Sequence, residues 1–189
     1  MKTLIITAAP NSKSFNFWIA QSVEKWAIAK WNEVETINLY DEQYSQSFLK
    51  FEDISDVSED KVRDLIQEKM KNADEYVFIF PVWWGSVPAI LKNFFDVNLS
   101  AGFAFKYGKW WKIEKLLTWK TAKIYCTCDA PGFIYKIPFI LWISIKSYLS
   151  KAILWFCGVK VTDFKLHSGT RKSTEEKRKA FLNSVENNA

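Results

Sequence analysis

The chain has 189 residues, and its shares of hydrophobic (49%) and charged (25%) side chains are ordinary for one globular domain over residues 1–189. Its net charge of +5 comes from scattered lysines without a long basic run, which argues against a nucleic-acid partner. A single His leaves no Cys/His quartet for zinc, so no metal is expected.

The first half of the chain alternates between strand-like and helical patterns. The strand-like runs are short, apolar and β-branched, whereas the helical runs repeat their apolar residues every three or four positions. The predicted elements are a strand at 3–8, a helix at 15–31, a strand at 33–39, a helix at 58–72, a strand at 75–80 and a helix from 88 to about 95. Ser14 or Ser12 is expected to cap the first helix. Residues 40–57 are predicted to be a loop with short helical turns.

The second half continues the alternation with longer connections. Residues 100–118 are predicted to be loop-rich and 131–144 irregular, with a strand at 122–127, a helix at about 144–156, a strand at 159–166 and a last helix. Gly158 is expected to end the fourth helix, and Ser173 with Glu176 to form a capping box at the start of the last one. This order predicts an α/β fold, a five-stranded doubly wound parallel sheet with helices on both faces.

Ligands of such sheets bind outside the carboxyl ends of the strands. The candidate loops therefore follow strands one, three and four, at 9–16, 81–87 and 128–135. The first loop leads into a helix N-terminus, where free N–H groups favour an anion such as phosphate. Ser12, Ser14 and Asn16 would add side-chain donors and Lys13 a positive charge, although plain helix capping by Ser14 remains an alternative.

The second and third loops carry aromatic and small residues. Trp83 and Trp84 cannot both face the core, so one of them is expected at the edge of the site, where an indole stacks on a flat ligand or covers apolar surface. Thr127 and the amides of the third loop would contact a ring edge, and Tyr135 would add a hydroxyl. His167, near the end of the fifth strand, is interpreted as a surface or structural residue.

The most specific motifs lie in the middle of the chain. The segment 80–96 reads F-P-V-W-W-G-S-V-P-A-I-L-K-N-F-F-D, and 102–107 reads G-F-A-F-K-Y. Together they resemble the flavodoxin-like NAD(P)H:quinone oxidoreductases of the DT-diaphorase type. Three shorter stretches agree with that pattern: Ser14-Phe15-Asn16, Thr127-x-Asp129-x-Pro131 and Phe156-Cys157-Gly158.

The resemblance implies a flavodoxin-like fold, a flavin cofactor (FAD or FMN), NAD(P)H as co-substrate, a quinone acceptor and a homodimer. FAD is preferred, with FMN as the alternative, because the long first loop with Ser-Phe-Asn and the loop around Lys106-Tyr107 could hold an adenosine half. It assigns cofactor binding to Ser14, Phe15, Asn16, Pro81, Val82, Trp83, Trp84, Gly85, Thr127, Asp129 and Pro131. It also assigns substrate capping from the partner subunit to Phe105 and Tyr107. Tyr135 falls on the family's active-site tyrosine and is the expected catalytic residue.

Two positions depart from the family. Ala9 stands where many relatives have a His before the Pro of the first loop, and the active-site His of the mammalian-type enzymes falls near Leu141. Tyr135 alone, or water, would then have to stabilise the charge of the reduced flavin. This puts two-electron quinone reduction in question, but not flavin binding.

Two other functions remain open. An electron carrier like flavodoxin would bind FMN without oxidising NAD(P)H, although the charge of +5 is unlike the usual acidity of flavodoxins. A non-catalytic regulatory partner of a membrane transporter would explain the apolar segment 134–145, which also allows peripheral membrane contact. That segment is too short to span a bilayer, which takes about 20 apolar residues. No signal peptide is visible and the three cysteines suggest free thiols, so a cytoplasmic location is expected.

Overall fold

A computed structural model describes residues 1–50, 59–131 and 145–187 of the chain. Its strands are β1 (Lys2–Thr7), β2 (Glu33–Asn38), β3 (Glu75–Pro81), β4 (Phe105–Tyr107), β5 (Ile113–Lys115), β6 (Thr121–Cys128) and β7 (Lys160–Ser168). Its helices are α1 (Phe15–Ala29), α2 (Lys61–Asn72), α3 (Ala89–Asn98), α4 (Ile145–Ser147), α5 (Trp155–Cys157) and α6 (Glu175–Asn187). A π-helical stretch, Tyr148–Leu154, joins α4 to α5. Short 3-10 turns lie at Glu42–Tyr44, Lys109–Trp111 and Thr170–Lys172.

Five strands form the central sheet in the order β2-β1-β3-β6-β7, and all neighbouring pairs are parallel. The predicted doubly wound sheet is therefore confirmed. The strand order reverses between β1 and β3, because the chain first moves outward to β2 and then returns to the other side of β1. The carboxyl ends of β1 and β3 flank this switch point, where a crevice opens in sheets of this type.

Apolar residues fill both faces of the sheet. On one face, Ile5 and Val77 pack with Ile19 of α1 and Val185 of α6. On the opposite face, a larger cluster joins the sheet to α2, α3 and the helical segment 145–157. The central strands are buried on both sides, which is why they read as continuous apolar runs rather than as alternating ones.

The connection between α3 and β6 is more ordered than the sequence predicts. Residues 105–115 form a two-stranded antiparallel hairpin of β4 and β5. Each strand has only three residues, which is too short for an alternating pattern to show. The hairpin follows α3, which returns the chain from the carboxyl edge to the amino edge of the sheet. It packs there against α5, with the ring centroids of Phe105 and Phe156 4.9 Å apart.

The helix ends test three sequence predictions. Ser14 caps α1 by accepting a hydrogen bond from the backbone N–H of Phe17, as predicted, and Gly158 ends α5 with a left-handed φ of 98°. The predicted capping box of Ser173 and Glu176 is wrong. Thr174 caps α6 instead, because its hydroxyl accepts from Lys177 N, while the Ser173 hydroxyl lies 3.0 Å from His167 Nε2. In the described residues, no helix has the length and apolar character needed to cross a membrane.

Candidate functional site

Two hydrogen bonds join the three loops at the carboxyl edge of the sheet. The side-chain Nδ2 of Asn16, in the first turn of α1, donates to the hydroxyl of Thr127 at the end of β6 over 3.0 Å. The backbone N–H of Val82, just after β3, donates to the carbonyl of Thr127 over 2.7 Å. Thr127 thus links the first loop to the second, and the structure brings these sequence-predicted residues together.

The N-terminus of α1 offers donors to an anion. Within the described residues, the backbone N–H groups of Phe15 and Asn16 have no partner, whereas that of Phe17 bonds to Ser14. The first turn of the helix contains no acidic side chain. Unpaired N–H groups at the positive end of a helix dipole bind phosphate. The geometry therefore suits the phosphate of a nucleotide.

Asn16 also presents an acceptor into the same site. Its Oδ1 is buried and has no hydrogen-bond partner, although Nδ2 of the same amide is paired with Thr127. A buried carbonyl oxygen without a partner costs about 1–3 kcal/mol. A ligand hydroxyl beside Thr127 would satisfy it, as a ribityl chain running from a phosphate at α1 would.

The second loop is a tight two-residue turn. Trp83 N donates to the carbonyl of Ser86 over 3.0 Å, and Ser86 N donates back over 2.9 Å. Between them, Trp84 and Gly85 both have positive φ, 52° and 72°, as a type I′ turn requires. The turn leaves the N–H groups of Trp84 and Gly85 without partners in the described part of the chain. These two N–H groups are therefore available to donate hydrogen bonds to the polar edge of a flat heterocycle.

Both indoles of this loop are exposed, Trp83 to 44% and Trp84 to 103%. The sequence prediction that the two rings cannot both be buried is thus confirmed. Within the described residues the Trp84 indole has no hydrogen bond or ring contact, and strained backbone is found at ligand sites. Pro81 and Val82, the other predicted residues of the loop, are half-buried and buried.

The third loop is held from the far side by the turn at Thr170–Lys172. Asp129 Oδ1 accepts from the backbone N–H of Arg171 over 2.8 Å, and Thr170 Oγ1 donates to the carbonyl of Cys128 over 3.1 Å. The Asp129 carboxylate therefore orders the loop through Arg171 rather than through the junction at Thr127. Pro131 is exposed. Tyr135, the expected catalytic residue, and all of the apolar segment 134–145 except Ile145 lie outside the described residues.

His167 packs against Phe15, at the end of the first loop. The sequence analysis interpreted this histidine as a surface or structural residue. Its ring is buried, with its centroid 4.8 Å from that of Phe15 and 5.1 Å from that of Phe181. Burial, together with the positive charges of Arg178 and Lys177, lowers the pKa of His167. The ring is thus kept neutral against Phe15, next to the helix N-terminus that would hold the phosphate.

Phe105 and Tyr107 are not joined to the three loops within one chain. Their rings form an edge-to-face pair, with centroids 5.4 Å apart, on the hairpin at the amino edge of the sheet. Tyr107 is 65% exposed. The hairpin that carries them thus lies at the opposite edge of the sheet from the three loops.

The donor set of the site suits a flavin nucleotide. In the described residues no group of three or more His, Cys, Asp or Glu side chains comes together as a metal site. In the described residues, three sets of polar groups have no partner. The N–H groups at the start of α1 suit a phosphate, Oδ1 of Asn16 suits a hydroxylated chain, and the N–H groups of Trp84 and Gly85 suit the edge of a ring.

Comparison with known proteins agrees with this geometry. The sequence matches the family described as "Flavodoxin-like fold" (Flavodoxin_2) over residues 1–189. It is 33% identical over 148 residues to the FMN-dependent NADH:quinone oxidoreductase of Caldicellulosiruptor bescii, covering 74% of this chain and 69% of that protein. It is also 36% identical over 125 residues to the rat ribosyldihydronicotinamide dehydrogenase [quinone], covering 61% of this chain and 51% of the rat protein, so the match spans about half of that relative.

A solved structure shows the same fold over nearly the whole length. The crystal structure of Smu.1420 from Streptococcus mutans UA159 superposes with a TM-score of 0.83 at 32% sequence identity, covering 99% of this chain and 97% of the other. The family match and this superposition bear out the fold and the resemblance inferred from the motifs. The chain belongs to the flavodoxin-like family that includes the NAD(P)H:quinone oxidoreductases.

Proposed function

We propose that this protein is a flavin-dependent NAD(P)H oxidoreductase that passes a hydride through FMN to a quinone or a similarly flat acceptor. The observation that carries the proposal is the junction at Thr127, which receives hydrogen bonds from Asn16 and Val82. This junction holds the N-terminus of α1, which can bind a phosphate, beside the turn of Trp84 and Gly85, whose backbone N–H groups have no partner in the described residues. The names of the relatives, which include NADH:quinone oxidoreductases, support the same activity.

Each part of the site has a defined task in this proposal. The N–H groups of Phe15 and Asn16 bind the phosphate, assisted by the hydroxyls of Ser12 and Ser14. The Oδ1 atom of Asn16 accepts a hydrogen bond from the ribityl chain. A bound flavin supplies hydride acceptance and donation at its ring, and the protein contributes orientation and electrostatics. The N–H groups of Trp84 and Gly85 hold the polar edge of the ring, and the two indoles of the turn exclude water from it.

FMN replaces the FAD that the sequence analysis preferred. That preference relied on the long first loop with Ser-Phe-Asn and on the loop around Lys106 and Tyr107 to hold an adenosine half. In the structure those residues lie on the hairpin at the amino edge, which packs on Phe156 and not on the first loop. The Caldicellulosiruptor relative, moreover, is named as FMN-dependent.

A homodimer completes the proposed site. Phe105 and the exposed ring of Tyr107 would cover the acceptor bound to the partner subunit.

We further propose one domain over 1–189 that acts in the cytoplasm, where NAD(P)H is supplied. All three cysteines are buried free thiols, which agrees with a reducing compartment. Tyr135 stays the proposed catalytic residue, with the charge of the reduced flavin as its target.

Reconstitution and turnover test this proposal. The purified protein is stripped of cofactor and titrated separately with FMN and FAD, using quenching of flavin fluorescence. NAD(P)H oxidation is then followed with menadione as the acceptor. We expect tight FMN binding, weaker FAD binding and steady turnover. Failure to bind either flavin would overturn the proposal. FMN binding without direct NAD(P)H oxidation would instead favour the electron carrier.

A further inference from the structure

Three exposed tryptophans far from the site occupy backbone conformations that suit glycine. Trp31, Trp110 and Trp119 have φ values of 61°, 61° and 74°. Their side chains are 94%, 95% and 98% exposed. A bulky residue at positive φ is a genuine outlier, because its Cβ crowds the backbone carbonyl. Trp is also a residue that folded chains usually bury in large part. Each of these positions therefore combines two unfavourable features.

In the part of the chain that the structure describes, Trp is the one non-glycine residue type with this conformation. Among the described residues, eight have positive φ: the glycines at 85, 102, 158 and 169, and the tryptophans at 31, 84, 110 and 119. Asn and Asp, which tolerate the left-handed region best after Gly, are absent from this set. The chain as a whole holds 10 Trp and only 6 Gly in 189 residues, whereas about 7% Gly is usual. Tryptophan therefore occupies left-handed positions of the kind that glycine usually fills, in a chain that has few glycines.

Trp31 shows the substitution within a recognised motif. It follows α1, and its N–H bonds to the carbonyl of Ile28, while Asn32 N bonds to the carbonyl of Ala27. This pair of bonds is the Schellman motif, whose left-handed residue is usually Gly. The end of α5 repeats the pair: Gly158 N bonds to Trp155 O, and Val159 N bonds to Leu154 O. The same motif in the same chain thus has Gly at one end and Trp at the other.

The other two positions are turns. Trp110 is the first central residue of the turn between Lys109 and Lys112 at the tip of the β4–β5 hairpin, with φ 61° and ψ 37°. Hairpin turns that need positive φ at this position favour Gly or Asn. Trp119 lies in the turn before β6, again at positive φ. Neither indole has a side-chain hydrogen bond or ring contact within the described residues.

Trp84 has a different explanation and is left out of the set. It lies in the candidate flavin loop, where strain is expected to serve a ligand. Trp26 and Trp155, at ordinary φ outside the site, also differ because their rings make contacts: the Trp26 ring lies 4.5 Å from Lys123 Nζ, and the Trp155 ring 3.2 Å from Lys115 Nζ. Exposure for docking would not require positive φ, as Trp18 and Trp155 are 54% and 63% exposed without it.

We propose that the polypeptide made in the source cell carries glycine at positions 31, 110 and 119. UGA is read as tryptophan in some genetic codes and differs by one base from the glycine codon GGA. If the gene has UGA at all three positions, one tRNA that decodes UGA as glycine places glycine at each of them. Independent Gly-to-Trp mutations would instead have to occur separately at three positions with left-handed backbone. The codon explanation also accounts for the shortage of Gly alongside the excess of Trp.

Mass spectrometry of the protein from its source tests the proposal directly. The protein is isolated from the source cells, and its intact mass and the tandem spectra of peptides spanning the three positions are measured. We expect glycine in each peptide and an intact mass lower by three Trp-to-Gly differences. Tryptophan in these peptides overturns the proposal.

Recombinant variants test its physical basis. Each of Trp31→Gly, Trp110→Gly and Trp119→Gly is expected to raise the folding equilibrium constant severalfold to about tenfold, because relief of the left-handed conformation outweighs the added freedom of the unfolded chain. The triple variant should gain roughly a hundredfold, since the sites share no contacts. Matched Trp→Ala variants remove the indole but keep the Cβ, and should gain little.

Trp18→Gly is the opposite control. Trp18 is exposed but lies inside α1 at a helical φ, so glycine there should lower the folding constant. A loss of stability at positions 31, 110 and 119 similar to that of Trp18→Gly would contradict the proposal. Urea unfolding followed by circular dichroism measures all of these variants without relying on tryptophan fluorescence.

Discussion

The amide of Asn16 donates a hydrogen bond to the hydroxyl of Thr127 over 3.0 Å, across 111 positions of sequence. Both side chains are buried, and the pair closes the first and third loops against each other. The same Thr127 accepts from Val82 N through its carbonyl. One threonine therefore fixes the relative positions of all three loops of the proposed FMN site.

The first prediction concerns this threonine. Thr127→Val keeps the shape of the side chain but leaves Nδ2 of Asn16 without an acceptor. The free energy of unfolding should fall by about 1–3 kcal/mol, and FMN should bind more weakly because Asn16 is no longer oriented. Urea unfolding and fluorescence titration measure the two effects. Thr162→Val is the control, since this exposed threonine lies outside the site and its hydroxyl bonds to Ala122 O. Equal FMN affinity in the two variants would contradict the assignment.

The second prediction concerns a buried ion pair near the amino ends of β3 and β6. Glu75 in β3 and Lys123 in β6 lie 3.1 Å apart, with side chains only 6% and 9% exposed. Removing one partner leaves a buried charge without a counter-charge, so Lys123→Met should cost about 3–5 kcal/mol of stability. Adding Glu75→Gln should recover part of that loss. Lys92→Met, which breaks the exposed pair of Lys92 and Asp96 in α3, should cost no more than about 0.5 kcal/mol.

Local signals explain how much of the fold was predictable. Buried parallel strands read as apolar β-branched runs, so all five strands of the central sheet were located within a residue or two. The hairpin 105–115 was missed because strands of three residues carry no period. The capping box of Ser173 failed although the pattern was present, because His167, from a neighbouring strand end, takes the Ser173 hydroxyl and Thr174 becomes the cap.

The site was predictable in part only. Strand ends gave the three loops, and the family motif gave their residues. The hydrogen bond between Asn16 and Thr127 and the support of Asp129 by Arg171 depend on contacts between distant segments. Neither contact has a local sequence signal. The positive φ of Trp84 was equally invisible, because Trp in a Trp-Gly turn contradicts the residue preference of such turns.

The third prediction is a pH dependence of stability that arises from His167. Burial and the charges of Arg178 and Lys177 lower the pKa of His167 in the folded state, so the unfolded chain binds its proton more readily. The stabilisation is therefore complete above the unfolded value of about 6.5 and is lost as the pH falls from there through the folded-state pKa.

Unfolding free energies of the wild type and His167→Gln between pH 5 and 8 check this. The difference between the two proteins should rise with pH below about 6.5, with a slope of at most about 1.4 kcal/mol per pH unit, and should level off above it. A difference that does not change over this range would show that the ring does not titrate on unfolding.

The fourth prediction separates strain from function at Trp84. This residue holds a φ of 52° with its indole fully exposed at the candidate flavin loop. Trp84→Gly relieves the backbone and should raise the free energy of unfolding by about 1 kcal/mol. It also removes the indole that we propose excludes water from the bound ring, so kcat/KM for menadione should fall severalfold or more. Trp84→Phe keeps both an aromatic ring and the strained backbone, and should keep most of the activity.

Trp31→Gly supplies the comparison that decides this last case. It relieves the same kind of left-handed backbone at the end of α1 that leads into β2, at the opposite edge of the sheet from the proposed site. It should therefore gain stability with kcat/KM unchanged. If Trp84→Gly also gained stability without losing activity, the strain at Trp84 would have no role in the reaction. Position 84 would then belong with positions 31, 110 and 119 as a place where the fold requires glycine.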